Sequence, residues 1–365
     1  MNNLIKLSAV DNISLNKIKL EKTKNINIFM KYNDILNKHK DIIEEYSKEW
    51  DNYKKYTNPY ELIYSPYNPN INTSNYKPVS RSFFKMWEML NKFNLIKVDD
   101  NIIIANIAEG PGGFIEAIHK YKGGNIDDIY ISNTLYPSDK NIPSWNKLKR
   151  YINDNKITNI KLLYCDLYKY QNIIEYINNF KNKKSMFVTG DGGFDYSNNF
   201  NKQEEQSCRI IYSEIIIALA IQEKEGNFII KIFDTFTLFT LKYIYLLSIF
   251  YETIQLYKPL TSRVANSEKY IICKGFKGIK DGLLSDFLES IRDFSDDDPN
   301  IINIQLTNDF IYQFDNYNKR FVDNQIDFID RTVDIIKNKD VIDLKKIVQE
   351  QICNAKEWCE TYNFK

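Results

Sequence analysis

Short apolar, β-branched runs alternate with helical segments over about two hundred residues of this chain, beginning near Val79. The first run, at 101–108 (NIIIANIA), is apolar at nearly every position, which is typical of a strand buried on both faces of a parallel sheet. Such alternation predicts an α/β fold with a doubly wound sheet. We predict strands at 101–108, 128–135, 159–166, 185–189, 227–233, 252–257 and 269–274, and helices at 80–93, 114–121, 171–180, 203–225 and 238–251.

No helix separates the strands near 252 and 269, so we expect these two to be antiparallel neighbours. The predicted sheet is then seven-stranded and mostly parallel, with helices on both faces. Further helices are predicted on either side of it, at 33–55, 285–294, 321–337 and 341–362, and a proline-punctuated irregular segment at 58–78. We therefore divide the chain into a helical N-terminal extension (1–77), a central domain (78–278) and a helical C-terminal extension (279–365).

The composition argues against several classes of protein. The 49 basic and 48 acidic residues nearly cancel, so a nucleic-acid partner would need a local basic surface. Five cysteines without a CxxC pair, and only two histidines, oppose a disulfide framework and a metal site. No apolar run reaches the ~20 residues that span a bilayer, and residues 1–12 lack a signal-peptide core. We expect no metal, no membrane and an intracellular, reducing compartment. Cytoplasm, nucleus and the infected-cell cytoplasm of a viral enzyme stay open as alternatives.

A glycine-rich turn follows the first predicted strand. Its residues are Glu109, Gly110, Pro111, Gly112, Gly113 and Phe114. Glycines let a ligand approach the backbone, and the following helix offers free N–H groups at the end of the sheet where ligands bind. The turn does not match GxGxxG, which disfavours a dinucleotide. Taken alone, the turn fits a ligand-binding loop and an ordinary tight turn about equally.

Four charged residues lie at informative places in this pattern. Asp191 opens a DGGF segment after the fourth strand, and Lys231 interrupts the apolar strand FIIKIF. Burying a lysine is costly unless it is paired or functional, and burial lowers a lysine's pKa, which suits a base. An edge strand with the ammonium reaching water is the alternative for Lys231. Lys85 lies on the helix before the first strand and Glu268 opens the last strand, and each alone is more commonly a surface charge.

Together, these residues and their surroundings resemble the FtsJ-like ribose 2′-O-methyltransferases, and most closely the cap-specific mRNA enzymes of that group. The resemblance extends from about residue 79 to 276. It is strongest from Asp191 onward, where DGGF, FIIKIFDTFT, YKPLTSR and NSEKYIICKG follow in register. Several motifs in register are specific where a single one is not. The resemblance implies a Rossmann-like, S-adenosylmethionine-dependent methyltransferase fold.

The resemblance also implies roles for particular residues. Four positions match a catalytic Lys-Asp-Lys-Glu tetrad, namely Lys85, Asp191, Lys231 and Glu268. The implied cofactor, S-adenosyl-L-methionine, would be bordered by Gly110, Pro111, Gly112, Gly113 and Phe114, with Asn133 near its ribose and Asp166 near its adenine. The chain departs from the family's cofactor pattern at two positions. Asn106 stands where the family commonly has Asp, and Glu109 stands where it has a small residue.

The implied reaction transfers a methyl group to a ribose 2′-hydroxyl of RNA, with the 5′ end of capped mRNA as the expected partner. The hydroxyl is a poor nucleophile, so the enzyme must align it and help to remove its proton. We expect Lys231 to contact the hydroxyl as base or orienter, and Lys85 to favour its ionisation. Asp191 and Glu268 would hold the lysines. A protein of the capping machinery is a candidate partner.

Three other interpretations stay open at this level. The tetrad does not distinguish mRNA from ribosomal or transfer RNA as the substrate of a 2′-O-methyltransferase. A catalytically inactive, RNA-binding stimulatory subunit is opposed by the presence of all four tetrad residues, and a nicotinamide-dependent enzyme by the lack of GxGxxG. For RNA phosphate contacts, the candidates are Arg81, Arg209 and Arg263, with ordinary ion pairing as the alternative.

Overall fold

The computed structural model describes residues 4–7, 18–65, 69–139, 141–193, 200–294 and 300–364. The strands are β1 (Leu4–Leu7), β2 (Lys19–Lys22), β3 (Ile103–Ile107), β4 (Ile129–Thr134), β5 (Ile160–Tyr164), β6 (Ser185–Gly190), β7 (Gln222–Ile232), β8 (Tyr251–Tyr257), β9 (Lys269–Phe276) and β10 (Asn300–Asn303). The α-helices are α1 (Met30–Glu45), α2 (Ser47–Thr57), α3 (Ser82–Phe93), α4 (Gly113–Tyr121), α5 (Asn146–Asp154), α6 (Tyr170–Asn178), α7 (Gln203–Ile221), α8 (Leu238–Phe250), α9 (Asp281–Arg292), α10 (Asn308–Lys337) and α11 (Leu344–Thr361).

The central sheet has eight strands in the order β1-β8-β9-β7-β6-β3-β4-β5. Strands β3 to β7 pair in parallel, and β9 is antiparallel to both β7 and β8, as predicted. The predicted strand number is one too low, because β1 adds an antiparallel edge with Leu4 opposite Tyr257. A run of four residues is too short to show a periodicity in sequence. A separate two-stranded sheet pairs β2 with β10.

Helices cover both faces of the sheet, so the fold has three layers. Along β3, Ile103 and Ala105 belong to one hydrophobic core and Ile104 to the other, as the alternation of side chains on a strand requires. Helices α7 and α8 pack into the first core, and α3 and α4 into the second. Every residue of β3 is buried. The prediction of a strand buried on both faces is therefore confirmed.

Several predicted boundaries are wrong for identifiable reasons. The predicted helix 203–225 ends at Ile221, because Gln222 already pairs with Ser185 as the first residue of β7. The predicted helix 33–55 is two helices, interrupted at Tyr46. Helix α5 was not predicted, although Leu148, Tyr151 and Ile152 stand at helical spacing and pack into the second core.

Both extensions pack closely against the central domain. The ammonium of Lys40 on α1 lies 3.2 Å from a carboxylate oxygen of Asp234. From α11, the indole N–H of Trp358 donates to the buried Glu88 on α3 at 2.9 Å. The division at 77/78 and 278/279 stays a prediction. None of the helices in the described ranges has the length and apolar character needed to cross a bilayer.

Candidate active site

Two lysine–carboxylate pairs lie where β6, β7 and β9 meet. Lys231 Nζ on β7 lies 3.2 Å from Asp191 Oδ1 and also donates to the Asp191 backbone carbonyl at 2.7 Å. Lys85 Nζ on α3 lies 2.5 Å from Glu268 Oε1. The four side chains are only 11–16% exposed. The structure thus brings together the four residues that the sequence singled out, as two ion pairs.

Tyr270 connects these two pairs. Its hydroxyl lies within hydrogen-bond distance of Asp191 Oδ1 (3.1 Å) and of Glu268 Oε1 (3.3 Å), and its side chain is fully buried. The Ser262 hydroxyl also donates to Glu268 Oε1, at 3.3 Å. Sequence reasoning missed both residues. For Tyr270 the signal was its position two residues after Glu268, because residues two apart in an extended chain face the same side of a sheet.

The charge state of Lys231 differs from the one expected. Burial alone would lower its pKa, but the carboxylates of Asp191 and Glu268, together with Glu214 when it is ionised, outweigh that effect and the pKa lies above the ordinary lysine value. Of the two roles expected for Lys231, base or orienter, this raised pKa favours the orienter in the free protein. Lys231 is an ammonium there, a hydrogen-bond donor rather than a base.

Glu268 is correspondingly stabilised as a carboxylate. Burial raises the pKa of its carboxyl group, but the cations of Lys85 and Lys231 outweigh this and lower the pKa to about 2. Glu268 therefore carries its charge at any pH at which the protein would be studied. The two ion pairs are strongly coupled, because each lysine favours the ionised form of the same glutamate.

A cavity of about 710 Å³ opens beside these pairs, at the carboxyl ends of the parallel strands. It extends from Asp166, after β5, to Lys231 and Glu268. Its remaining lining residues are Ala108, Gly110, Thr134, Leu135, Asn141, Ile142, Pro143, Cys165, Leu167, Tyr168, Gly193, Gln203, Ile210 and Phe233. This volume is within the range of small-molecule sites, and its place in the sheet is where open α/β folds bind ligands.

Of the five loop residues predicted to border the cofactor, Gly110 lines this cavity. A Cβ at Gly110 would lie 2.7 Å from the hydroxyl oxygen of Thr134, itself a lining residue. Gly112 has φ +109°, and a Cβ there would lie 2.6 Å from Leu148 Cδ2 on α5. A Cβ at Gly113 would lie 2.2 Å from Ser82 Oγ. Gly112 and Gly113 thus allow the loop to pack against α5 and α3.

The remaining two loop residues, Pro111 and Phe114, are buried to different extents. Pro111 is partly buried, whereas Phe114 is fully buried in the first turn of α4 with its ring 5.9 Å from the Tyr270 ring. Phe114 therefore packs against Tyr270, the residue whose hydroxyl contacts Asp191 and Glu268. The cofactor contacts predicted for Pro111, Gly112, Gly113 and Phe114 stay predictions.

Asp166 and Asn133 are placed differently. Asp166 lines the cavity, and its Oδ1 accepts from the Tyr168 backbone N–H at 3.0 Å. Asn133 is fully buried, and its Oδ1 accepts from the Ala108 backbone N–H at 2.9 Å. The next residue, Thr134, lines the cavity instead. Asn133 thus shapes the loop after β3, and its predicted ribose contact stays a prediction.

The two departures from the family pattern both have local structural partners. Asn106 donates to Thr189 Oγ1 and accepts from Ser132 Oγ, each at 2.9 Å, and so joins β3 to both neighbouring strands. Glu109 Oε1 accepts from the Phe114 backbone N–H at 2.9 Å and caps α4. Burial, with the negative charge of Asp191, raises the pKa of Glu109 well above its ordinary value.

The arginine candidates are engaged within the protein. Arg263 Nη2 lies 2.9 Å and Arg81 Nη1 3.5 Å from Oε1 of the buried Glu61. Arg209 donates to the Tyr168 carbonyl at 3.1 Å. Phe194, the last residue of the DGGF segment, lies outside the described residues. Within the described ranges, no three His, Cys, Asp or Glu side chains are grouped as metal ligands.

Comparison with known proteins identifies the family of the central part of the chain. The model of the FtsJ-like methyltransferase family matches residues 78–276. Cap-specific mRNA (nucleoside-2′-O-)-methyltransferase 1 of Mus musculus is 32% identical over 202 residues, which is 50% of this chain and 22% of that protein. The Homo sapiens protein of the same name is 32% identical over 200 residues, 52% of this chain and 23% of that protein. The chain thus spans less than a quarter of the length of these relatives.

A solved structure of a putative ribosomal RNA methyltransferase from Plasmodium falciparum is 20% identical, with a TM-score of 0.41. That match covers 55% of this chain and 99% of the other.

Proposed function

Because the chain belongs to the FtsJ-like methyltransferase family, we propose that it is an RNA ribose 2′-O-methyltransferase that uses S-adenosyl-L-methionine and acts near the 5′ cap of mRNA. One observation carries this proposal. Lys231 and Glu268, one member of each of the two ion pairs, line a cavity of about 710 Å³. A cofactor held in that cavity would have its reacting end beside two lysines.

The cavity residues fit the proposed cofactor. Gly110 presents bare backbone on the wall, where any side chain would collide with Thr134. Asp166 offers a partly exposed carboxylate at the opposite end from Lys231, which suits the hydroxyl or amino groups of an adenosine. When bound, S-adenosyl-L-methionine supplies a methyl group activated by a sulfonium. The protein's own residues must then orient the acceptor oxygen and handle its proton.

Lys231 is the residue that we place against the acceptor hydroxyl. An ammonium has three N–H donors, and two of them face the carboxylate and the carbonyl of Asp191. The third is available to hold the 2′-oxygen in line for attack. Lys231 and Lys85 also place two positive charges beside the hydroxyl, which lowers its pKa and favours the alkoxide. Glu268 and Tyr270 keep this arrangement rigid.

Cap-proximal mRNA is the substrate that we propose, because the relatives matched over half of this chain are named cap-specific mRNA 2′-O-methyltransferases. We also propose an intracellular, reducing compartment, since all five cysteines are unpaired. A protein of the capping machinery is the partner that this substrate would suggest. The near-zero net charge implies that RNA affinity depends on a local surface and weakens with salt.

Methyl transfer from radiolabelled S-adenosyl-L-methionine tests the proposal. We would compare one RNA sequence carrying a methylated guanosine cap with the same sequence carrying a 5′ triphosphate, with Lys231→Ala as the inactive control. We expect label only on the capped RNA, and nuclease digestion should place it on the ribose of the first or second transcribed nucleotide. Equal transfer to uncapped, ribosomal or transfer RNA, or a methyl on guanine N7, would refute the cap assignment. No transfer to any RNA would favour an inactive, RNA-binding subunit.

A further inference from the structure

A second acidic residue lies directly behind the tetrad. Glu214 is on α7, where it precedes the apolar run IIIALAI, and its side chain is fully buried. Its Oε1 accepts from the Gly192 backbone N–H at 2.9 Å. Its Oε2 has no hydrogen-bond partner among the described residues. A buried carboxyl group next to an apolar run is costly, so a local role is to be expected.

The hydrogen bond from Gly192 links Glu214 to Lys231 through a single peptide group. The N–H of the Asp191–Gly192 peptide donates to Glu214, and the carbonyl of the same peptide accepts from Lys231 Nζ at 2.7 Å. A peptide group is planar, so fixing the direction of its N–H also fixes its carbonyl. Hydrogen bonds at both ends of one peptide also polarise each other.

The glycines around this peptide make room for the Glu214 carboxyl group. A Cβ at Gly192 would lie 2.6 Å from Glu214 Oε1, and one at Gly190 would lie 3.1 Å from its carboxyl carbon. A side chain at Gly192 would therefore push the carboxyl group away from the peptide. Gly192, the first glycine of the DGGF segment, is therefore required by its contact with Glu214 and not by contact with a ligand.

We propose that Glu214 is a positioning residue for Lys231, acting through the Asp191–Gly192 peptide; the consequence for catalysis rests on the proposed function of Lys231. Three charged or titratable groups face the Glu214 carboxyl group: Lys231 from β7, Asp191 from the loop after β6, and Glu109 from the loop after β3. Glu214 thereby sets the direction of a carbonyl that holds the Lys231 ammonium.

The protonation of Glu214 supplies a signature that a purely structural role would not have. Burial raises the pKa of Glu214 to about 8, and the charge of Asp191 adds to this, against the opposing effects of Lys231 and the Gly192 N–H. Glu214 is thus neutral at pH 7 and ionises in a range accessible to experiment. Its carboxylate favours the charged form of Lys231, so ionisation makes this lysine hold its proton more firmly.

Two substitutions separate positioning from folding. Glu214→Gln keeps an oxygen that accepts from Gly192 but cannot ionise, whereas Glu214→Ala removes the acceptor. The matched control is Glu204→Gln, on the same helix, because Glu204 is also buried but accepts from the backbone N–H groups of Phe236 and Thr237. All variants would be checked by thermal melting and by calorimetry with S-adenosyl-L-methionine.

The first measurement is single-turnover methyl transfer between about pH 6.5 and 9.5. We expect the parent and Glu204→Gln to show an inflection near pH 8, and Glu214→Gln to keep the parental rate at pH 7 but lose the inflection. Glu214→Ala should lose roughly tenfold in rate with unchanged cofactor affinity, the scale of one hydrogen bond. Parental rates and an unchanged pH profile in both folded variants would overturn the proposal. If Glu214→Ala does not fold, the pH profile of the Glu214→Gln rate alone tests the proposal.

The second measurement needs no RNA. In protein with ¹³C-labelled lysine, the Cε signal of Lys231, assigned by its loss in Lys231→Arg, should titrate near pH 8 in the parent and not in Glu214→Gln. An identical titration in both proteins would refute the link between Glu214 and Lys231. This result is independent of whether any RNA is methylated, so failure of the proposed function and failure of this inference can be told apart.

Discussion

Lys85 Nζ lies 2.5 Å from Glu268 Oε1, although the two residues are 183 positions apart in the chain. Helix α3 precedes the sheet and contributes the lysine, while the glutamate stands immediately before β9. The pair therefore forms only when α3 is packed on the finished sheet. Because Glu268 also interacts with Lys231, the geometry at the candidate active site depends on the whole central domain.

Removing the Lys231 side chain should abolish turnover while leaving the cofactor cavity intact. We expect Lys231→Ala to lose roughly 10²–10³-fold in single-turnover rate, the usual cost of removing a charged donor that orients and stabilises a reacting oxygen. Lys231→Arg should not restore activity, since a planar guanidinium has a different shape and directs its N–H groups differently from an ammonium. Calorimetry with S-adenosyl-L-methionine should give parental affinity. A folded Lys231→Ala protein with near-parental turnover would contradict the mechanism.

The hydroxyl that connects the two ion pairs should matter for rate more than for stability. Tyr270→Phe removes the group lying 3.1 Å from Asp191 and 3.3 Å from Glu268. We expect about a 2- to 10-fold lower single-turnover rate, the worth of one hydrogen bond. Tyr257→Phe is the matched control, because Tyr257 is buried opposite Tyr270 on β8 but its hydroxyl donates to Glu88. Equal effects of the two substitutions on rate would refute a specific role for Tyr270.

The glycines of the loop after β3 should divide into two classes. Gly110→Val places a side chain on the cavity wall and should weaken S-adenosyl-L-methionine binding in a folded protein. Gly112→Val should instead lower the melting temperature, because of its φ of +109° and a collision with Leu148. Calorimetry and thermal melting distinguish the two. Unchanged cofactor affinity in folded Gly110→Val would mean that the cofactor lies elsewhere.

Glu214 should make the protein less stable as the pH rises from about 4.5 to about 8. The pKa of its buried carboxyl group is about 8, against an ordinary value of 4.5, so the folded state keeps a proton that the unfolded chain has released. Its contribution to stability is complete below pH 4.5 and is lost as the pH passes through this range. The melting temperature of Glu214→Gln relative to the parent should therefore increase from pH 5 to pH 8. A constant difference would contradict the raised pKa.

The central domain should not be stable without its extensions. Arg263 and Arg81 are both paired with the buried Glu61 of the N-terminal extension, and Glu88 accepts from Trp358 of the C-terminal one. A fragment of residues 78–278 would lose these contacts and would expose the apolar surface that Trp358 and Phe364 cover in the second hydrophobic core. We expect no cooperative thermal transition for the fragment, in contrast to the full chain. A cooperative melt near the parental temperature would support an independent domain.

The order of strands and helices could be predicted because it depends on local patterns. The apolar run at 101–108 and the glycine turn after it identify β3 and its loop without further information. A local sequence pattern does not show which segments pair when they are far apart in the chain. Strand β1 has only four residues, so it carries no periodicity that separates it from its surroundings.

The candidate site shows the same division. The tetrad residues were recognised because each stands in a motif, whereas Tyr270 and Glu214 read as parts of an apolar strand and an apolar helix. The roles of Tyr270 and Glu214 follow from distances between side chains in the folded protein, which the sequence does not show. The raised pKa of Lys231 could not be predicted for a related reason, since burial is visible in the FIIKIF run but the acidic residues that surround the ammonium are not.

The edge strand β1 has a consequence for the order of events during synthesis. Leu4 pairs with Tyr257, so β1 leaves the ribosome before its partner strand, which is made roughly 250 residues later. At the usual rate of translation this delay is on the order of 10–50 s. During that time the apolar side chains of β1 have no sheet to join, and the nascent chain would gain from a chaperone that covers them.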